Sequence, residues 1–153
     1  NGTWDQHGNL KAGHEKNALD TDQAIAGLIK DLKARGLLEE TLVVWSGEFG
    51  RTPRLEQTKG SQTGVVQPGR DHWPQAGSLI VAGGGMRTGQ VVGATNAKGE
   101  YPVERPITPN DIWATVYGHL GIDYNESLPD YTGRPMPILP FGSPISEIMP
   151  LAS

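Results

Sequence analysis

The 153-residue chain contains no cysteine, which excludes a disulfide framework, a thiolate metal site and a cysteine nucleophile. Long apolar runs are absent as well. Leu42 to Trp45 and Ser78 to Ala82 fall far short of the ~20 residues that a helix needs to cross a bilayer, so no membrane span is expected. Nor is there a surplus of basic charge. Thirteen Lys and Arg against seventeen Asp and Glu leave a formal net charge of −4 and a pI near 5.5, without the clustered cations that neutralise a nucleic-acid backbone. The chain has no fixed-period repeat or low-complexity block. It starts Asn1-Gly2-Thr3 without methionine or a basic-then-apolar leader, and the expectation is that processing or truncation removed the true start.

What the chain does have is glycine (21) and proline (12), enough for a loop-rich domain and too few for disorder. Residues 1–17 are polar and read as a loop. From about Asp20 to Arg35, the apolar residues Ile25, Leu28, Ile29 and Leu32 fall at helical spacing. Asp20 and Asp22 suit the positive end of that helix, Lys33 and Arg35 suit the other, and Gly36 suits its stop. Thr41 to Ser46 is a β-prone run with the pattern of a strand buried on both faces. A helix feeding such a strand predicts an α/β fold with a mainly parallel sheet flanked by helices, whose sites gather at the carboxyl ends of strands. Glu48 to Pro53 sits at that end, and a long polar loop runs on to Gly69. A second buried strand is expected at Ser78 to Ala82 and a short one within Gln90 to Thr95. Thr108-Pro109-Asn110-Asp111 opens a helix to about Leu120 that should bury Ile112, Trp113, Val116 and Leu120. The proline-rich tail, 123–153, reads as irregular coil packed on the surface.

The chemistry rests on four histidines, His7, His14, His72 and His119. Asp5-Gln6-His7 and Asp71-His72 each set a carboxylate beside an imidazole in a glycine-flanked loop, and Glu48 adds an acid at a strand end. Three separated segments thus offer Asp5, His7, Glu48, Asp71 and His72 as metal ligands. Asp and His in loops also serve simply to cap turns. His14-Glu15 begins like a zincin helix, but Ala18 stands where the second histidine belongs; His14 reads as a surface loop residue or a spare ligand, and His119 as a cation at a helix C-terminus. Gly83 to Thr88 fails as a dinucleotide loop, and Ser46 and Ser78 lack the glycines of a nucleophile elbow. Asn1-Gly2-Thr3 and Asn125-Glu126-Ser127 fit the glycosylation triplet, which carries meaning only in a eukaryotic secretory setting. Arg51 and Arg70 adjoin the ligand segments, where either suits a tetrahedral anion.

Trp-Asp-Gln-His-Gly-Asn (4–9), Asp-Leu-Lys-Ala-Arg-Gly-Leu-Leu (31–38), Gly-Glu-Phe-Gly-Arg-Thr-Pro (47–53) and Gly-Arg-Asp-His-Trp-Pro (69–74) together resemble the DUF1501 family. Ala-Gly-Gly-Gly (82–85), Val-Gly-Ala-Thr (92–95), Thr-Pro-Asn-Asp (108–111) and Gly-Arg-Pro (133–135) extend the resemblance over nearly the whole chain. The family is bacterial, often exported, and similar to the alkaline phosphatase and sulfatase superfamily. The resemblance implies an alkaline phosphatase-like fold represented by its C-terminal part only, with the N-terminal half that bears the nucleophile as its partner. It implies phosphoryl or sulfuryl transfer from a small-molecule or polysaccharide-linked ester, assisted by one or two divalent ions. Asp5 and His7 fall at the first ligand pair, Glu48 at the strand-end acid and His72 at the later histidine, with Asp71 as ligand or orienter and Arg51 as anion contact. Asp5-x-His7 is two residues shorter than the phosphatase pair, and Glu48-Phe49 replaces an Asp-His, so the expected ion is zinc or a harder cation such as calcium or magnesium. The alternative is a non-catalytic binding or structural descendant of the same fold.

Overall fold

The computed structural model describes residues 4–59 and 66–150; the glycosylation triplet at Asn1 lies outside them. The chain opens with α1, Leu10–Ala34, followed by β1, Leu42–Ser46. Next come β2, Gly50–Arg51, β3, Glu56–Lys59, β4, Val66–Gly69, and β5, His72–Trp73. β6, Leu79–Gly83, β7, Ala94–Thr95, and β8, Pro102–Glu104, precede α2, Pro109–His119. The chain then forms β9, Ser127–Pro129, and β10, Pro135–Pro137.

The helix α1 starts ten residues before the expected point, in a stretch read as loop. The apolar stripe begins only at Ile25, so the first half is held by other means. Lys11, Ala12, Glu15, Lys16 and Ala18 are strong helix formers, and Lys11–Glu15 and Lys16–Asp20 stand at 3.8 and 2.5 Å, one turn apart. The helix ends as expected: Gly36 takes φ +73, and the Leu37 and Leu38 amides donate to the Leu32 carbonyl. Of the four stripe residues, Ile25, Ile29 and Leu32 are half-buried, whereas Leu28 is exposed.

The expected parallel sheet flanked by helices is not the architecture. Every strand pair is antiparallel, and the strands form five two-stranded ribbons among the described residues. β1 runs against β6, with Leu42 opposite Gly83 and Ser46 opposite Leu79. A parallel pair needs a crossover that carries the chain back to its starting end. The segment between β1 and β6 instead forms β2–β5 and β3–β4, so the described part of the polar loop expected there is largely ribbon, and β6 meets β1 antiparallel. The β1–β6 pair is also not buried on both faces. Leu42, Val44 and Val81 line an apolar crevice with Ile112, Val116 and Ile145, while Trp45 and Ile80, paired on the opposite face, are exposed.

The expected capping signals place α2 within one residue. Thr108 accepts a bond from the Asp111 amide at 3.3 Å, and its own amide donates to Asp111 Oδ2 at 2.7 Å, a reciprocal capping box with Pro109 in the first turn. Its buried face differs from expectation. Ala114 and Thr115 are buried, Ile112 and Val116 are half-buried, and Trp113 and Leu120 are exposed. Thr115 accounts for this rotation: its hydroxyl donates to the Asp111 carbonyl at 2.7 Å and accepts from the Ile145 amide at 2.9 Å, so a tail segment packs where a bulky side chain was expected.

That tail is no surface coil. β9 and β10 pair with each other, and Ile145 and Ile148 join Met86 in the core, against Leu42, Val81, Val92, Ile107, Ile112 and Met149. Arg87 donates to the Met149 and Ser146 carbonyls at 2.9 and 2.6 Å. Arg105 grips Glu147 through both carboxylate oxygens, at 2.5 and 3.0 Å. This fork holds the Glu147 carboxyl at a pKa of about 2, below its ordinary 4.5. Because the folded pKa is depressed, the stabilisation is complete above pH 4.5 and vanishes as pH falls through about 2. Urea unfolding of Glu147→Gln and the native chain should therefore differ most at neutral pH and converge towards pH 2; a gap independent of pH would assign the effect to packing.

Candidate metal centre

The β2–β5 ribbon is the platform of the site. Its register sets Gly50 opposite Trp73 and Arg51 opposite His72, and it continues through Thr52, whose amide donates to the Asp71 carbonyl at 2.8 Å. Thr52 Oγ1 accepts from the Asp71 amide at 3.0 Å, and Asp71 Oδ1 accepts from the His72 amide at 2.9 Å. From its other neighbour, the Trp73 indole donates to the Glu100 carbonyl at 2.6 Å. Asn96 and Glu100 bond reciprocally at 2.9 and 2.8 Å, which fixes the β7–β8 turn that receives it. The chemistry-bearing strand is thus anchored by residues on both sides.

The loop 4–8, ahead of α1, lies across this ribbon. A Cβ on Gly69 would stand 1.8 Å from the His7 carbonyl oxygen, and one on Gly13 would stand 2.7 Å from the Gln6 side-chain nitrogen. At Gly69 the neighbours are backbone atoms, an approach that any side chain would block, whereas at Gly13 the neighbour is the Gln6 side chain, which can swing aside. Arg51 adds a polar tie, its Nη2 donating to the Trp4 carbonyl at 3.0 Å. Trp4 meets His14 edge-on, ring centroids 5.6 Å apart. His14 lies within α1, its Nδ1 3.2 Å from the Leu10 carbonyl, and not in the loop expected for it.

Asp5 is the hub. Its Oδ1 receives Arg51 Nη2 at 2.8 Å and His72 Nε2 at 2.7 Å, and His7 Nε2 stands 3.1 Å away. The His7 Nδ1 faces Asp71 Oδ1 at 3.2 Å. The His7 and His72 ring centroids are 4.9 Å apart, and Phe49 covers His72 at 4.3 Å. His72, then Arg51, then the charge of His7 hold the Asp5 carboxyl at a pKa of about 2, so it is ionised throughout the useful range. One ligand atom each from Asp5, His7 and His72 lies within 4.8 Å of the others, at side chains open to solvent. This group could hold a metal ion.

A family model for DUF1501, described as a protein of unknown function, matches residues 1–149. The chain belongs to the DUF1501 family. No curated protein and no solved structure matches it.

Of the residues expected at the centre of this DUF1501 chain, Asp5, His7 and His72 converge, and Asp71 stands behind His7. Glu48 is exposed and is not among the converging group. Arg51 enters as a partner of Asp5, with three of its N–H groups on Asp5 Oδ1, the Trp4 carbonyl and the Arg70 carbonyl. Phe49 and Gly69 were not singled out from sequence. Phe49 packs at a tilt against the His72 ring, and Gly69 sets how closely the His7 loop seats. The one signal for Gly69 was its place directly before Arg70-Asp71-His72.

Proposed function

We propose that this DUF1501 chain binds one divalent cation through Asp5, His7 and His72 and serves as a metal-dependent, hydrolase-like domain acting on phosphate or sulfate esters. The observation that carries the reading is the meeting of two imidazole Nε2 atoms on one Asp5 oxygen, at 2.7 and 3.1 Å. Two histidines and one carboxylate form a donor set of the kind that hydrolytic zinc sites use, with a coordination position left for substrate or water. Asp71 fits the outer partner of a ligating histidine: a carboxylate on Nδ1 fixes the tautomer that presents Nε2. Arg51 keeps Asp5 oriented and ionised. The chemistry that a divalent ion supplies when bound is Lewis-acid polarisation of a phosphoryl or sulfuryl oxygen.

The ester class rests on the resemblance to the alkaline phosphatase and sulfatase superfamily, as do export from a bacterial cytoplasm and a nucleophile contributed from outside these residues. The donor set supports zinc first; the exposed carboxylates beside it also suit calcium or magnesium. Calorimetric titration with zinc and with magnesium, backed by elemental analysis, should find about one ion per chain. Asp5→Asn and His72→Ala should each weaken binding by about a hundredfold, and Asp71→Asn by about ten- to a hundredfold. Binding that is absent, or unaltered in His72→Ala, would remove the proposal.

One observation favours a second reading. Asp5, His7, His72, Asp71 and Arg51 satisfy one another without an ion, so the same group can act as a latch between the loop and the ribbon in a non-catalytic descendant. A latch predicts that His72→Ala lowers the melting temperature while a chelator leaves the native chain unchanged.

A further inference from the structure

The arginines of this chain are mostly committed. Arg35, Arg51, Arg105 and Arg134 pair with Asp31, Asp5, Glu147 and Asp130, and Arg87 is bound to tail carbonyls. Arg54 stands exposed. Arg70 differs from all of these. It is half-buried, its Nε is buried with no hydrogen-bond acceptor among the described residues, and no carboxylate among them pairs with it. A donor of a charged group left in this state costs free energy that an acceptor would recover. The position is also telling. Arg70 directly precedes Asp71 and His72, and its carbonyl accepts from Arg51 Nη1 at 3.3 Å, so its backbone is fastened into the centre.

We propose that Arg70 is the anion-binding residue of this site, with a tetrahedral oxyanion, the phosphate or sulfate group of the ester, as its acceptor. The inference rests on the metal-dependent reading above for its substrate class, and it moves the anion contact from Arg51, whose guanidinium is spent on Asp5 and two carbonyls, to Arg70. The guanidinium fork is suited to two oxygens of one tetrahedral group, and it keeps its charge at every relevant pH.

The test is calorimetric titration of the zinc-loaded protein with inorganic phosphate and, separately, inorganic sulfate, with chloride as the control anion. The native chain is expected to bind at least one oxyanion, and the stronger of the two arms names the ester. Arg70→Met should weaken that binding about tenfold or more while zinc affinity stays within about twofold. Arg70→Lys should fall between them, since an ammonium keeps the charge and loses the fork. A merely structural Arg70 would shift the melting temperature and leave oxyanion affinity alone. Equal oxyanion binding by the native chain and Arg70→Met overturns the proposal, as does a native chain that binds neither oxyanion. Repeating the anion titration on the metal-free protein separates the two readings: a native chain that binds no added zinc yet keeps its Arg70-dependent oxyanion binding removes the metal centre and keeps the anion site.

Discussion

Gly69→Ala is expected to weaken divalent-ion binding about tenfold or more while leaving the α2 and tail core intact. The added Cβ would stand 1.8 Å from the His7 carbonyl oxygen, 2.4 Å from its carbon and 3.0 Å from the Gly8 nitrogen. All three are backbone atoms, so no side chain can swing aside. Relief requires the loop 4–8 to lift from the ribbon, and a forced backbone shift of this kind costs about 1–3 kcal/mol, about ten- to a hundredfold in any equilibrium that needs the seated loop. The displaced loop carries Asp5 and His7, whereas His72 and Asp71 stay on the ribbon. Imidazole resonances in NMR spectra report the geometry directly: the contact between the His7 and His72 rings should weaken in Gly69→Ala, whereas signals from Ile145 and Ile148 should not move. A variant with native ring contacts and native ion affinity would show that the glycine is dispensable.

This dependence explains why the ligands were legible in the sequence and their assembly was not. Asp5-x-His7 and Asp71-His72 announce hard oxygen and imidazole donors in glycine-bearing loops, and three of those four side chains form the group. What brings them together is the absence of a side chain at Gly69 and a two-residue ribbon, β2–β5, too short to leave an alternation pattern. Glu48 was placed with them because parallel sheets collect sites at strand ends. In an antiparallel arrangement that rule loses its footing, and Phe49 is the neighbour that meets His72. Arg51 was readable as a site residue, but its donors are turned to Asp5 and to carbonyls of its own platform.

The fold divides along the same line. Runs such as Thr41 to Ser46 and Ser78 to Ala82 declare strands, found at Leu42–Ser46 and Leu79–Gly83, and Thr108-Pro109-Asn110-Asp111 declares a helix start, because those signals are local. Strand direction is set by the thirty or so residues between the partners, and no local pattern records it. The first half of α1 was missed for a related reason: it is stabilised by propensity and one-turn ion pairs, without the apolar stripe by which helices are usually read.

Ile145→Ala is expected to cost about 2–5 kcal/mol of stability, the range for removing a branched side chain from a packed core. The position was assigned to surface coil by its surroundings, which are rich in proline and glycine. Yet Ile145 is only 4% exposed, packs in one cluster with Met86 and Ile148, and its amide is held by Thr115 Oγ1. Among the described residues, Met86, Ala114, Ile145 and Ile148 are the buried apolar side chains, so the core is thin and each member carries a large share of it. A domain of ordinary stability, about 5–15 kcal/mol, would lose much of its reserve. Leu128→Ala, at 60% exposure in the same tail, should change stability by no more than about 0.5 kcal/mol. Urea unfolding of the two variants distinguishes a tail that is part of the core from one laid upon it: similar small losses for both would return the segment to the surface, and a loss confined to Ile145 fixes it as the inner layer against which β1, β6 and α2 are packed.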